Sequence, residues 1–410
     1  MANKPLVKKL RAYETRSQSP GVLVPLLCLL LCGLLITPVA SSSMNYDDEA
    51  RILLSEGILS YLISGDETVS LSDLRGAASL YPAYPRRITD SAGKEFTFYR
   101  PVERVVAMHV NAAEVAVLLG VSEKIVGVSD TVRTNTLQFP ELSELPSVGK
   151  WTEPDIEAIL ATNPDIVLTY VNWPEPDKLE LHLPERIAVV RMDFYRAEVF
   201  REEMEMVGRI FDEQENLDEY LEWYDTNLAL VEGRVSTIPY GERVLVYGES
   251  GSGQAFGRRA FGEKTGLHDL ITAAGGVNVA AGHITGYADV ENEWIIQQNP
   301  DIILIWSGKG GYKLGDRDEI VSLHDDIMGM PGFERIKAVR DGRVFIITSG
   351  FAYGPSSPVA LVQVASWLYP DLFEDIDPAA IHAEFLERFT HTGEEVREMG
   401  TFYYPDVRAE

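Results

Sequence analysis

The chain has 410 residues, of which 45% are hydrophobic, so it can bury a large core, and its length favours two or three compact units. Its 63 acidic and 36 basic side chains give a formal net charge of −27, which repels phosphate backbones and anionic lipid head groups. The composition excludes a purely disordered chain, and the charge argues against nucleic acid as a partner.

The N-terminal residues 1–44 have the features of an export signal. Several basic residues precede an apolar stretch at 21–40, and small residues follow it, with plausible cleavage points after Ser41 or Ser42. If uncleaved, a run of about 18 apolar residues can also anchor a chain in a membrane. Both alternatives place the folded part outside the cytoplasm. The only two cysteines, Cys28 and Cys32, lie in this stretch, so we expect no disulfide framework.

Residues 45–85 predict a small helical extension. The segment "DETVSLSDL" at 66–74 resembles half of a dockerin-type calcium loop, but Leu62 and Ser64 occupy the first two ligand places and Glu67 replaces the turn glycine. We therefore predict a helical spacer and not a calcium site. The proline-containing segment "YPAYPRR" at 81–87 marks its end.

From residue 86 onward, short β-branched runs alternate with amphipathic helical stretches, a pattern that predicts helices layered on parallel strands. Residues 91–93 predict a turn between two strands. Residues 111–120 predict a helix closed by Gly120, and residues 124–129 predict the next strand. The sequence thus indicates an α/β fold.

One helix-to-strand corner occurs twice, as "EAILATNPDIVL" at 157–168 and "EWIIQQNPDIIL" at 293–304. Each copy predicts a short helix, an asparagine suited to a left-handed exit, a proline that stops the helix, and a buried strand. The predicted caps are Thr152 and Asp289, and the predicted exits are Asn163 and Asn299. The repetition predicts two equivalent lobes.

A long helical pattern lies between the two copies, at 211–238, with apolar residues on one face. We expect two doubly wound α/β lobes joined by this single long helix, which would limit them to small rocking movements. The predicted boundaries are an anchor or signal at 1–44, a helical extension at 45–85, an N-terminal lobe at 86–210, a connecting helix at 211–238 and a C-terminal lobe at 239–410.

The order of these features resembles the substrate-binding proteins of ABC importers for ferric siderophores, haem and cobalamin. The resemblance covers about residues 86–390. It is carried by the two corners and by "RVVAMHVNAAEVAVLLGVSEKIVGVS" (104–129), "LHDLITAAGGVNVA" (267–280) and "AVRDGRVFIITSGFAYGPSSPVALVQVASWLYPDLF" (338–373). It implies a monomer without a cofactor that binds an iron chelate or a corrinoid between its lobes, without catalysis.

The resemblance also implies docking on a dimeric membrane permease. Glu157 and Glu293 match the family glutamates that contact basic pockets of the two permease subunits. A two-fold permease presents paired basic sites, and a duplicated protein can offer one carboxylate from each lobe. The alternative is that each glutamate only stabilises the positive end of its helix.

The ligand crevice of doubly wound lobes lies beyond the carboxyl ends of the strands. Aromatic residues occur at almost every predicted strand end, and flat rings suit a large planar or partly apolar ligand. Trp151 looks like the pocket tryptophan of vitamin B12-binding relatives, and Tyr170 falls where they carry another aromatic. The predicted ligand contacts are His109, Trp151, Tyr170, Trp173, Tyr195, Tyr247, Arg258, Trp306 and Tyr353.

The same residues allow other interpretations. Each aromatic residue taken alone could be a core residue, and Arg258 with Arg259 could be a solvated surface pair. His109 and His283 could bind a bare metal ion from opposite lobes, although such sites need three or four converging ligands. The histidines form no catalytic motif, so an exported metal-dependent hydrolase or an adhesive protein is a weaker alternative.

Overall fold

The computed structural model describes residues 86–98, 100–251, 258–390 and 392–405. The predicted signal or anchor (1–44) and the predicted extension (45–85) lie outside these residues. The chain forms two compact units. The first holds an antiparallel hairpin of β1 (Arg86–Thr89) and β2 (Glu95–Phe98), and the second holds the turn Asp90–Lys94 and the chain from Glu103 onward. No helix in the described part is both long and apolar enough to cross a membrane.

The N-terminal lobe of the second unit is built on a four-stranded parallel sheet with the order β4-β3-β7-β8. All four residues of β7 are buried, as expected for a β-branched strand covered on both faces. In chain order the elements are β3 (Val105–Ala107), α1 (Val110–Leu118), β4 (Ile125–Val128), α2 (Asp130–Arg133), β5 (Gly149–Lys150), β6 (Glu153–Pro154), α3 (Ile156–Ala161), β7 (Ile166–Thr169), α4 (Pro176–Leu179) and β8 (Ala188–Arg191).

Two helices lead from the first sheet to the second. They are α5 (Ala197–Phe211) and α6 (Gln214–Val235), separated by Asp212 in the left-handed conformation at φ 66°. Most residues of α6 that the sequence placed on one face, including Leu217 and Tyr220, are buried. The Tyr220 hydroxyl donates to the carbonyl oxygen of Pro355 at 2.9 Å, which attaches α6 to the C-terminal lobe.

The C-terminal lobe has a larger, mixed sheet with the order β12-β10-β9-β13-β14-β15, and β11 also pairs with β9. In chain order the elements are β9 (Leu245–Ser250), β10 (Arg258–Phe261), α7 (Gly266–Ala273), β11 (Val277–Asn278), β12 (Tyr287–Val290), α8 (Asn292–Gln298), β13 (Ile302–Ser307), α9 (Arg317–Met328), α10 (Lys337–Arg340), β14 (Val344–Thr348), α11 (Ser349–Ala352), α12 (Ser357–Leu368), α13 (Pro378–Phe385), α14 (Glu394–Met399) and β15 (Tyr403–Tyr404).

The predicted α/β fold class is confirmed, and the second sheet adds a feature that the sequence did not reveal. Its central strands β9, β13 and β14 are parallel, whereas β10, β12 and β15 pair antiparallel at the edges. The antiparallel pair β10 and β12 lies on one side of the parallel core and carries residues of the cleft described below.

The duplicated corners leave their helices as the sequence predicts. Asn163 follows α3 with φ 47°, and Asn299 ends α8 with φ 45°. The predicted caps are wrong. Asp155, and not Thr152, caps α3 by accepting a hydrogen bond from the Ala158 amide at 3.0 Å. Asp289 lies within β12, because that strand occupies the residues that the sequence assigned to the start of the helix.

The aspartates of the two corners make the same backbone contacts. The Asp165 carboxylate accepts hydrogen bonds from the amides of Glu103 and Arg104, and its own amide donates to the Arg104 carbonyl. Asp301 likewise accepts from the Leu245 amide at 2.9 Å and donates to the Leu245 carbonyl at 2.8 Å. Each corner therefore joins the start of its strand to the chain entering the neighbouring strand.

Replacing Gly262 by Ala should lower the free energy of unfolding by about 1–3 kcal/mol. A β-carbon at Gly262 would overlap the backbone carbonyl of Ile284, which is fixed by a hydrogen bond from the Glu263 amide. Gly233→Ala is the matched control, because Gly233 is exposed in α6 with open space around it, and the change should raise stability by about 0.5–1 kcal/mol. Urea unfolding measures both, and equal effects would contradict the prediction.

Candidate functional site

A cleft of about 1590 Å³ opens between the loops of the two lobes. Its lining comes from the segment after β8, from α6, from the ends of β9 and β13, from the segment after β14, and from β10, β12 and α7. The segments after β8 and β14 and the ends of β9 and β13 are carboxyl ends of parallel strands, where the sequence predicts a ligand crevice. Drug-sized ligands occupy roughly 300–1,000 Å³, so this cleft has room for a larger molecule.

The C-terminal lobe supplies a wall of aromatic side chains. Phe261 and Tyr287, from the antiparallel strands β10 and β12, meet edge to face with ring centroids 4.9 Å apart. The ring centroid of Trp306, near the end of β13, lies 6.0 Å from that of Phe261 and 6.4 Å from that of Tyr353. All four line the cleft, and Tyr287 is 60% exposed. Trp306 and Tyr353 therefore lie where the sequence placed them.

Across the cleft, the N-terminal lobe contributes the exposed aromatic residue Tyr195, which is 43% exposed. The ring of Tyr170 contacts it edge to face at 5.8 Å. Trp151 meets the other side of Tyr170 at 5.5 Å, and His109 stacks on Tyr170 at 3.9 Å. The structure brings these four predicted residues together, but only Tyr195 lines the cleft itself, with the other three behind it.

His109 is a structural residue at the start of α1. Its Nδ1 accepts a hydrogen bond from the Ala112 amide at 3.1 Å, and the side chain is 1% exposed. Burial lowers the pKa of His109 to about 3, so the ring is neutral at physiological pH. The predicted contact between His109 and a ligand is therefore not supported, because Tyr170 covers the ring.

Two predicted contacts in the C-terminal lobe are wrong because β9 is longer than its sequence pattern indicates. Tyr247 lies in the middle of β9, not at its end, and is 0% exposed within the core. Arg258 lies on β10, pairs with the buried carboxylate of Glu249, and approaches the ring of Phe333 at 6.0 Å. Since side chains alternate along a strand, the neighbouring Arg259 faces the cleft instead.

Trp173 also lies away from the cleft lining, although it is 45% exposed. Its loop is held by the buried guanidinium of Arg191, which donates to the carbonyl oxygens of Tyr170 and Pro174 at 2.8 Å each. The same side chain pairs with Glu180 at 2.7 Å. Arg191 thus fixes the segment after β7 that carries Tyr170.

Charged side chains of both signs complete the lining. Arg196 donates to Glu198 at 3.0 Å, and Arg259 donates to Asp289 at 3.1 Å. The segment leading into α7 adds Glu263 and Lys264, with φ 62° at Lys264, and α7 itself adds His268 and Asp269. Sequence reasoning missed this segment and Phe261 with Tyr287, because the antiparallel strands that carry them have no βαβ spacing to reveal them.

The histidines predicted as metal ligands do not converge. His283 contacts Trp294 edge to face at 6.1 Å, and His109 is buried behind Tyr170. In the described ranges, no three His, Cys, Asp or Glu side chains are arranged to hold a metal ion.

Glu157 and Glu293 occupy matching places in the two lobes. Each lies in the first turn of its helix, α3 or α8, and each side chain is exposed. The helices precede β7 of the first sheet and β13 of the second. The two carboxylates are therefore on different lobes and accessible to a partner.

Two α/β lobes with an open cleft at their strand ends define a solute-binding protein. The chain belongs to the periplasmic binding protein family, whose model matches residues 105–350. Proteins of this kind serve as the binding components of ABC transporters.

Individual relatives are similar over most of their length. The molybdate-binding protein MolA of Haemophilus influenzae is 25% identical over 337 residues, which cover 75% of this chain and 91% of MolA. The petrobactin-binding protein YclQ of Bacillus subtilis is 22% identical, over 61% of this chain and 76% of YclQ. The structure of the TroA-like protein FepB from Veillonella parvula superposes with a TM-score of 0.64 at 23% identity, over 78% of this chain and 99% of FepB.

The contribution of Glu114 to the stability of the protein should fall as the pH rises from 4.5 to about 8. Glu114 on α1 is 4% exposed, and its Oε1 has no hydrogen-bond donor among the described residues. Burial raises its pKa to about 8 from an ordinary 4.5. The stability that the folded state gains by keeping the carboxyl protonated is fully present below pH 4.5 and is lost as the pH rises through about 8.

Glu114→Gln should remove this dependence, because an amide of similar shape does not ionise. Measured by urea unfolding, the stability of the variant relative to the wild type should increase by up to about 1.4 kcal/mol per pH unit between about pH 5 and 8. Parallel stability curves for the two proteins would contradict the assignment.

Proposed function

We propose that the protein is the extracytoplasmic binding component of an ABC importer that captures a metal chelate between its lobes and delivers it to the permease. The observation that carries the proposal is the cleft itself, which is open, about 1590 Å³ in volume, and faced by aromatic rings from both lobes. We assign the protein a binding function and no catalytic step.

The size and lining of the cleft favour a chelate over a bare ion. Tyr195 lies opposite Phe261, Tyr287, Trp306 and Tyr353, and such rings bind apolar or planar surface. A ferric siderophore, a haem or a cobalamin offers that surface, whereas an ion needs converging donor atoms. The similarity to a petrobactin-binding protein points the same way.

A small oxyanion is the second candidate, because MolA binds molybdate and cationic side chains are part of the cleft lining. Arg196 and Arg259 each have a carboxylate partner, which lowers the positive charge that they offer to an anion. Such an anion would also leave most of the aromatic wall without a contact. We therefore rank the chelate first.

In the proposed cycle, the aromatic side chains of both lobes hold the ligand, and a slight closure of the lobes orders the loops around it. Glu157 and Glu293 then seat the closed monomer on basic pockets of the permease dimer. The N-terminal segment would export the chain and keep it near the membrane.

Titration with haemin, cyanocobalamin, ferric tris-catecholate and molybdate should separate the candidates. We expect one of the three coloured chelates to bind with micromolar or tighter affinity, seen as a shift in its absorbance. Molybdate binding by calorimetry without any chelate binding would support the oxyanion instead. If none of the four binds, the proposed ligand class is wrong.

Trp306→Ala should weaken binding of that chelate at least about tenfold, which corresponds to about 1.4 kcal/mol, because the substitution removes a ring from the centre of the wall. Trp173→Ala is the matched control, since Trp173 is exposed but outside the cleft lining, and it should leave the affinity unchanged. Equal effects of the two substitutions would remove Trp306 from the binding site.

The double substitution of Glu157 and Glu293 by Gln should abolish uptake in cells while leaving ligand affinity intact, because both carboxylates are exposed and remote from the cleft lining. Each single substitution should reduce uptake partially. Exposed Glu291, at the start of α8, provides a control substitution that should leave uptake unchanged. Full uptake by the double variant would contradict the docking role.

A further inference from the structure

A buried carboxylate on α5 lies behind the cleft without lining it. Glu203 is 0% exposed, and its two carboxylate oxygens accept three hydrogen bonds. The Asp193 amide donates to Oε1 at 2.9 Å, the Phe194 amide donates to Oε2 at 2.5 Å, and the Ser91 hydroxyl donates to Oε1 at 2.5 Å. Burial raises the pKa of Glu203, and these three donors act in the opposite direction by favouring the ionised form.

The backbone that Glu203 holds has an unusual conformation. Phe194 has φ 55°, a left-handed value that costs a residue with a β-carbon about 1–2 kcal/mol. One of the two amides that Glu203 accepts is the amide of this left-handed residue, and the other belongs to Asp193 directly before it. The Asp193 carboxylate in turn accepts from the Val171 amide at 3.0 Å, which joins the segment after β8 to the segment after β7.

The next residue along the chain is Tyr195, the exposed aromatic residue with which the N-terminal lobe lines the cleft. Because Phe194 turns the chain, its own ring is fully buried, whereas Tyr195 is directed into the cleft. Without the carboxylate, the amides of Asp193 and Phe194 would lose their acceptor, and the segment would relax toward extended backbone. Extended backbone would change the direction of the Tyr195 side chain.

We propose that Glu203 is a positioning residue that fixes Tyr195 in the cleft by accepting the amides of Asp193 and Phe194. The inference rests on the proposed function, in which Tyr195 is one wall of the ligand site. Its role differs from stabilisation alone, because the effect of Glu203 on ligand affinity should pass through Tyr195.

The first test needs no ligand, so its result is independent of the proposed function. 3-Fluorotyrosine is placed at position 195 alone, and its ¹⁹F signal is recorded in the full chain. Glu203→Gln brings an amide donor against backbone donors, and we expect the resonance to move by more than its line width. Glu202→Gln, at the exposed neighbouring position of α5, should leave the signal in place.

If Glu203→Gln does not fold, Ser91→Ala removes only one of the three donors, and it should move the signal by a smaller but measurable amount. A wild-type signal in a folded Glu203→Gln, or in Ser91→Ala when Glu203→Gln does not fold, would overturn the proposal.

The second test is a double-mutant cycle on the chelate that the wild type binds among haemin, cyanocobalamin and ferric tris-catecholate. Glu203→Gln should weaken binding at least about threefold when Tyr195 is present and have no effect in the Tyr195→Ala background. Additive effects would overturn the positioning role, even if the ¹⁹F signal moves. If none of the probes binds, the proposed ligand class fails and the ¹⁹F result alone decides the fate of Glu203.

Discussion

Burial of the parallel strands on both faces leaves only their ends available for recognition. β7 and β14 are buried along their whole length, and most of β13 is as well. A strand covered on both sides can offer a ligand only the residues that follow its last hydrogen bond. The aromatic residues Tyr195, Phe261, Tyr287, Trp306 and Tyr353 of the cleft lie near these strand ends or in the strands beside them, and helices complete the lining.

The geometry of such a site depends on the side chains that hydrogen-bond to the backbone of its loops, because loop residues make few regular backbone hydrogen bonds. Buried charged side chains provide much of that support in the N-terminal lobe. Arg191 binds the carbonyl oxygens after β7, and Glu203 binds the amides after β8. In the C-terminal lobe, the Glu249 carboxylate holds Arg258 on the side of β10 away from the cleft. The aromatic residues are thus presented by a fixed framework.

Features that depend on local sequence pattern could be predicted from the sequence. Residue positions that depend on pairing between neighbouring strands could not. The asparagine exits, the exposed glutamates and the strand-end positions of Tyr195, Trp306 and Tyr353 follow from spacing and turn chemistry. Tyr247 and Arg258 were misplaced because the end of β9 is set by its pairing with β10 and β13, which no local pattern encodes. Tyr287 was missed for the same reason, since its strand β12 forms by pairing with β10.

One contact of the C-terminal lobe with α1 is made at a residue that has no side chain. Gly354, with φ 76°, approaches so closely that a β-carbon would lie 2.9 Å from Nδ2 of Asn111. A β-carbon there would displace the amide group of Asn111, and the positive φ would strain any residue other than glycine. Glycine at this position therefore lets the segment after β14 lie against the N-terminal lobe through its backbone alone.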